Sequence, residues 1–212
     1  MLEVTGRVFS VGRNSSGAFG ISNTTTYTLP AEMQGLNGLE LAKVKDIAAG
    51  RYHSVILQED GTVWASGYNN YGQLGNDTTT TSSTIVQVLD SNKEPIKNTK
   101  SVHAAGHVTY LISVDNKLYA MGYNKYGQLC TNNTTSQKLA IAVEQDKNID
   151  FVTGTQAEEN QTTAFITTDG NVYTIGYSAN GEMGNYATKN YLYTWCITDP
   201  EINLEQNIIN IK

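Results

Sequence analysis

The sequence predicts an all-β fold, a partial or open β-propeller of about four blades, and three observations carry that prediction. A segment rich in glycine and tyrosine recurs along the whole chain. Short β-type runs flank an Asp-Gly or Asp-Asn pair at the same place in most recurrences. No stretch sustains the 3.6-residue apolar period of a helix.

The recurrence is legible by eye. Gly61-Thr62-Val63-Trp64-Ala65-Ser66-Gly67-Tyr68-Asn69-Asn70-Tyr71-Gly72-Gln73-Leu74-Gly75 returns as Asn116-Lys117-Leu118-Tyr119-Ala120-Met121-Gly122-Tyr123-Asn124-Lys125-Tyr126-Gly127-Gln128-Leu129-Cys130. A third copy runs from Gly170 to Gly184, and an earlier, shorter one from Gly6 to Gly20. Gly12, Gly67, Gly122 and Gly176 therefore stand 55, 55 and 54 residues apart. One repeat domain, 1–212, with units near 1–60, 61–115, 116–169 and 170–212, accounts for the spacing.

Within a unit, Val55 to Gln58 and Val63 to Ala65 read as strands around Asp60-Gly61. Such a pair suits a type I′ hairpin turn, whose two central residues both need positive φ. Asp115-Asn116 and Asp169-Gly170 repeat the arrangement between Tyr110 to Val114 and Leu118 to Met121, and between Phe165 to Thr167 and Val172 to Ile175. Thr78 to Thr81 and Thr131 to Thr135 read as loops, and at most one helical turn fits, around Ala31 to Met33.

Composition narrows the function classes. Lys and Arg number 14 against 20 Asp and Glu, a formal charge of -6, so nucleic acid is not an expected partner. The absence of a long apolar run predicts no membrane insertion, and residues 1–20 lack the apolar core of a signal peptide, which fits the cytoplasm or a large assembly such as a virion. Cys130 and Cys196 are expected to be free thiols, and triplets such as Asn133-Thr134-Thr135 follow from abundant Asn and Thr rather than from glycosylation.

Asn69-Asn70-Tyr71-Gly72-Gln73-Leu74-Gly75 resembles the N-x-x-G-Q-L-G hallmark of the regulator-of-chromosome-condensation repeat family, and Asn124 to Leu129 matches it with Cys130 in place of the last glycine. Ile47-Ala48-Ala49-Gly50-Arg51-Tyr52-His53-Ser54-Val55-Ile56-Leu57 is similar to that family's second pattern. The later copies depart from it: Ala104-Ala105-Gly106 lacks the following His, extra residues stand at Thr155 to Thr162, and Glu182-Met183-Gly184 replaces Gln-Leu-Gly. The resemblance implies a propeller, commonly seven-bladed, that serves as a docking platform. Some such proteins promote nucleotide exchange on a small GTPase and some bind chromatin. No wedge-like insertion stands in this sequence, and its acidity disfavours chromatin.

The structural motif residues are Gly50, His53, Gly67, Gly72, Gly75, Gly122, Gly127, Gly176, Gly181 and Gly184, the glycines serving turns and strand ends. His53 is read as a buried imidazole bonding a neighbouring blade's backbone. His103 and His107 are four apart, a zinc spacing on a helix but not on a strand. Glu158-Glu159 reads as a solvated pair rather than an acid/base pair. Tyr68, Tyr71, Tyr123, Tyr126 and Tyr177 are the candidate partner-binding residues, in the loop after each inner strand. They either pack between blades or form an exposed aromatic row for a protein or a sugar.

No catalytic constellation, metal or cofactor is expected. The reading is a non-enzymatic interaction or scaffold module; a carbohydrate-binding propeller and a small-GTPase regulator are the alternatives. About four units fall short of a seven-bladed ring, and Ile208 to Lys212 matches the segment leading into Ile47. The open ends are therefore expected to be covered by a protein partner, a second copy or a longer parent chain.

Overall fold

A computed structural model describes residues 1–3, 7–33, 43–157, 159–184 and 188–197. Gly6, Glu158 and Ile208 to Lys212 lie outside the described residues. Among the described residues every regular element is a strand.

The first sheet has two strands, β1 (Phe9–Gly12) and β2 (Tyr27–Glu32). Three four-stranded antiparallel sheets follow. One comprises β3 (Val44–Ala49), β4 (His53–Gln58), β5 (Val63–Gly67) and β6 (Ser82–Gln87). The next comprises β7 (Thr99–Ala105), β8 (Val108–Ser113), β9 (Leu118–Gly122) and β10 (Gln137–Val143). The last comprises β11 (Ile149–Gly154), β12 (Thr162–Thr167), β13 (Val172–Gly176) and β14 (Tyr191–Cys196). Each is a sequential meander, the blade of a propeller, and the described blades form an open array.

Register fixes which strands correspond. Gly12 pairs with Tyr27, Gly67 with Ser82, Gly122 with Gln137 and Gly176 with Tyr191, and each pairing is followed by a register shift. β1 and β2 are therefore the third and fourth strands of a half-blade. Sequence unit and sheet share a period but not a phase, because each four-stranded sheet begins roughly two-thirds of the way through a sequence unit. The sheets meet at their first strands, β3 against β7 and β7 against β11. The strand preceding the tyrosines is thus the third of its blade and not the inner one, a correction to the sequence reading.

The turn at Asp60-Gly61 also differs from expectation. Gly61 has φ 82°, but Asp60 is not among the residues with positive φ. The Gly61 amide donates to the Gln58 carbonyl at 3.0 Å and the Gln58 amide to the Thr62 carbonyl at 3.0 Å, a type I turn closed by a left-handed residue in a bulge. Asn116 (φ 61°) and Gly170 (φ 88°) close the same turn in the next two blades. The one place where a helical turn would fit is strand instead: Ala31 and Glu32 of β2 pair with Ser10 and Phe9. Pro30 sits on this edge strand, where its missing N–H costs no ladder bond.

Alternation along each strand gives every blade a face toward the next blade and one toward the previous. Leu57 and Val63 point forward into a cluster with Met121 and Leu111, which point back from the following blade. Ile112 and Leu118 point forward to Ile175 and Phe165 in the same way. Leu57, Ile112, Met121 and Ile175 are all fully buried. Cys130 is buried with φ 60°, the conformation of Gly75 and Gly184 at the equivalent place, and burial raises its thiol pKa; neither cysteine forms a disulfide.

Candidate functional site

The loop after each third strand is built around one buried polar side chain, an amide in three blades and a hydroxyl in the last. Asn69 is fully buried; its Oδ1 accepts the Leu74 amide at 2.9 Å, and its Nδ2 donates to the carbonyls of Thr78 and Thr80 at 3.1 Å each. Asn124 repeats this with the Leu129 amide at 2.9 Å and the carbonyls of Asn133 and Thr135 at 3.0 Å. Asn14 takes the Phe19 amide at 3.0 Å, and in the last blade Ser178 Oγ takes the Met183 amide at 3.3 Å. A short side chain with an acceptor and donors on one planar group folds the loop back over its own backbone.

In the two loops built on Asn69 and Asn124, the glutamine four residues on ties the loop to the following blade. Gln73 Oε1 accepts the Tyr71 amide at 3.1 Å, its Nε2 lies 3.4 Å from His107 Nδ1, and its carbonyl accepts the Thr109 hydroxyl at 2.8 Å. Gln128 repeats all three contacts with the Tyr126 amide (2.9 Å), Gln161 Oε1 (3.4 Å) and the Thr163 hydroxyl (3.0 Å). Tyr110 Oη donates to the same Gln128 carbonyl at 3.1 Å.

On this scaffold the tyrosines form one continuous row. Tyr52 and Tyr68 have ring centroids 6.2 Å apart, and Tyr68 and Tyr71 6.1 Å. His107 lies 5.9, 5.2 and 5.3 Å from Tyr52, Tyr68 and Tyr71. The row crosses to the next blade at Tyr71–Tyr123 (4.6 Å), continues to Tyr126 (6.4 Å) and crosses again to Tyr177 (5.1 Å). These spacings are those of tilted and edge-to-face aromatic pairs. Tyr52, Tyr68, Tyr71, Tyr126 and Tyr177 are half-buried, whereas Tyr123 is buried, and burial with help from Tyr126, Glu159 and Tyr71 pushes its phenol up to about 12. Tyr126 Oη donates to Asn160 Oδ1 at 3.3 Å. Cations flank the row: Arg13 and Arg51 lie 5.9 and 5.2 Å from the Tyr52 ring, and Lys125 5.6 Å from Tyr126.

The family model described as Regulator of chromosome condensation (RCC1) repeat matches residues 5–57 and 60–112, and a second model of that description matches 44–73. The chain belongs to the RCC1 repeat family. It is 29% identical over 184 residues to the Ultraviolet-B receptor UVR8 of Arabidopsis thaliana, covering 86% of this chain and 40% of that protein. It is 31% identical over 132 residues to the Protein RCC2 homolog of Danio rerio, covering 62% of this chain and 26% of that one. The chain thus spans less than half the length of these relatives. Among solved structures, human WBSCR16 superposes with a TM-score of 0.78 at 17% identity, over 94% of this chain and 50% of that one. Yeast RCC1 (Prp20) bound to Kap60 superposes with 0.75 at 18% identity, over 95% and 46%. The fold is that of RCC1 propellers.

In RCC1-repeat terms, Tyr52, His107 and Gln161 are one position, since their carbonyls accept the amides of Tyr68, Tyr123 and Tyr177 at 2.9, 3.0 and 3.0 Å. Sequence reading missed Tyr52 and His107 as members of the row, and missed Asn69 and Asn124 as its foundation. The signal was positional equivalence, hidden because three different residue types occupy the place. His107 joins the tyrosines, while His103 packs edge-on to Phe151 at 5.2 Å. Gly67, Gly122 and Gly176 end the third strands, Gly72, Gly127 and Gly181 close the turns over the motif, and Gly75 and Gly184 finish it, all with positive φ; Gly50 lies against the His53 ring.

His53 is buried and reaches the neighbouring blade through a side chain rather than backbone, its Nε2 2.9 Å from Thr109 Oγ1. Thr109 gives its only proton to the Gln73 carbonyl, so Nε2 must be the donor and Nδ1 carries the lone pair. Nδ1 has no hydrogen-bond partner among the described residues. Burial, and secondarily His107, lowers the His53 pKa to about 3. The folded state then refuses a proton that the unfolded chain accepts near 6.5. The contribution is complete above pH 6.5 and is lost as pH falls toward 3. Stability is expected to drop by about 2 kcal/mol from this residue between pH 7 and pH 5. Denaturant titrations at both pH values check it: His53→Gln should remove that part of the pH dependence, and an unchanged slope would refute the assignment.

Proposed function

We propose that this chain is a non-catalytic docking module whose contact surface is the half-buried rings of Tyr52, Tyr68, Tyr71, Tyr126 and Tyr177, linked into one row through the buried Tyr123. The observation that carries the reading is the continuity of the row across three blades, at 4.6 to 6.4 Å between successive rings. Half-buried tyrosines held by neighbours lose little rotamer freedom on binding and offer large amphipathic area, the chemistry of protein interaction hot spots. The partner is a protein, and the module acts as a scaffold. The test compares quantitative affinity capture from the native source by the wild type and by a Tyr71→Ala/Tyr126→Ala variant. A partner lost by at least about tenfold, about 1.4 kcal/mol in affinity, supports the reading. A partner retained in full by the folded variant rejects it.

A second reading, sugar binding, draws on Tyr126, whose half-buried ring carries an Asn160 amide at its hydroxyl and Lys125 over its face. A glycan array in which no sugar binds saturably, or in which Tyr126→Ala leaves binding intact, removes that reading. Regulation of a small GTPase rests on relatives alone; the binding of Gsp1p and histones belongs to yeast Prp20p. Nucleotide release from a GTPase panel unaffected by excess protein would remove it.

A further inference from the structure

The tyrosine face carries one large departure from the repeat. The turn between first and second strands occupies residues 50–52 in the β3–β6 blade and 106–107 in the β7–β10 blade, but 155–161 in the β11–β14 blade. This longer turn is tied down over the preceding blade. The Gly106 amide donates to Gln156 Oε1 at 3.0 Å, Gln156 Nε2 to the Ala104 carbonyl at 3.1 Å, and Gln161 Nε2 to the Ala157 carbonyl at 2.9 Å. Gln161 and Ala157 press on Gly106 so closely that no Cβ would fit there. Bonds to backbone atoms of the neighbouring blade thus give the segment a defined place on this face.

That place is beside the aromatic row. Asn160 Oδ1 receives the Tyr126 hydroxyl at 3.3 Å, and Gln161 Oε1 receives Gln128 Nε2 at 3.4 Å. Glu159, next in the chain to Asn160, is exposed, and its carboxylate makes no hydrogen bond or ion pair among the described residues. Its charge is near enough to help raise the Tyr123 phenol, and residues 155–161 contain no Lys or Arg to neutralise it. The other end of the row differs in sign, with Arg13 and Arg51 over the Tyr52 ring. At the Tyr126 end the chain's own cation is Lys125, exposed, 5.6 Å from the ring and without a carboxylate partner among the described residues. A free carboxylate beside a half-buried ring that holds only a loose cation suits a guanidinium, whose plane stacks on an aromatic face while its N–H fork bonds a carboxylate.

We propose that Glu159 and the Tyr126 ring together select an arginine side chain of the protein partner, which displaces Lys125 from the ring. The inference rests on the docking reading above and gives that partner its chemistry, a basic segment over this end of the row. Arg13 and Arg51 oppose a second arginine at Tyr52, so the selection is confined to the Tyr126 end. Lysine fits less well, because its ammonium is a compact, strongly hydrated charge with no planar face. The formal charge of -6 adds a long-range attraction for such a segment.

An array of short random-sequence peptides, probed with the labelled full chain, supplies the ligand, and fluorescence anisotropy measures the tightest binder in solution. That peptide is expected to contain an arginine whose replacement by citrulline, uncharged and nearly isosteric, weakens binding to the wild type by at least about tenfold. With Glu159→Gln the same replacement should change affinity by less than about twofold, the signature of a direct pair in a double-mutant cycle. Lys125→Ala should tighten binding, since it removes the competing cation. An array on which no peptide binds saturably overturns the inference, and so does a citrulline effect of equal size in the wild type and Glu159→Gln. Unchanged or weaker binding by Lys125→Ala refutes the displacement. The Tyr71→Ala/Tyr126→Ala variant separates this inference from the reading beneath it. Binding that this variant abolishes but that ignores Glu159 leaves the docking row standing and refutes the arginine site, whereas binding that ignores the tyrosines removes both.

Discussion

Asn69→Ala is expected to lower the unfolding free energy by about 3 kcal/mol, because it leaves a buried amide and two loop carbonyls without partners. The Leu74 amide is the costly one: it is buried, and Asn69 Oδ1 at 2.9 Å is the acceptor that receives it. The carbonyls of Thr78 and Thr80 lie in a more exposed loop, where water offsets part of their loss. The chain contains its own control. Ser178 holds the Met183 amide in the last blade with a hydroxyl at 3.3 Å, so Asn69→Ser should keep the amide satisfied and cost about half as much. For a chain of this size the alanine variant corresponds to a midpoint about 6–12 °C lower in a thermal melt. Equal losses for alanine and serine would show that the amide bond is not what folds the loop. The tyrosine row depends on the same loop, since Tyr68 and Tyr71 flank Asn69, so partner binding should fall with it.

The fold was legible because its determinants are local and repeated. Four glycines at nearly constant spacing and three Asp-initiated turns name a hairpin array without any knowledge of which strand pairs with which. Phase was not legible, because the recurring residues belong to the loops while the sheets are delimited by strands of variable sequence. Asp-Gly fits both the expected turn, a two-residue loop with both residues at positive φ, and the observed one, a three-residue loop from Glu59 to Gly61 in which Gly61 alone has positive φ. Ala31-Glu32 has no strand signature of its own, and pairing with Ser10 and Phe9 decides its conformation. The tyrosines were legible as recurring side chains. Their union into a row was not, because it passes through His107 and Tyr52. Gly50 precedes His53 by three residues where Gly106 precedes Val108 by two, and that one-residue offset hides the equivalence.

Gly67→Ala is expected to cost about 4–5 kcal/mol, of which roughly half is strain in its own backbone and the rest a collision with the second strand. Gly67 has φ +111°, a region that alanine enters only under strain. Its Cβ would also stand 2.4 Å from the Tyr52 carbonyl oxygen and 2.7 Å from His53 Cα, both backbone atoms that can yield only by parting β4 from β5. That carbonyl holds the Tyr68 amide at 2.9 Å, so the displacement would propagate directly into the aromatic row. Gly12 separates the two contributions: it has nearly the same φ, +108°, at the equivalent end of β1, yet nothing lies within 4 Å of where its Cβ would be. Gly12→Ala should therefore incur the strain alone, about 2 kcal/mol. Urea titrations of both variants read the difference directly, and the collision contributes about 2 kcal/mol or more if the strands resist separation as close-packed interiors do. Equal midpoints for the two variants would mean that glycine is required there for its φ alone and that the tight approach of Tyr52 to β5 contributes nothing.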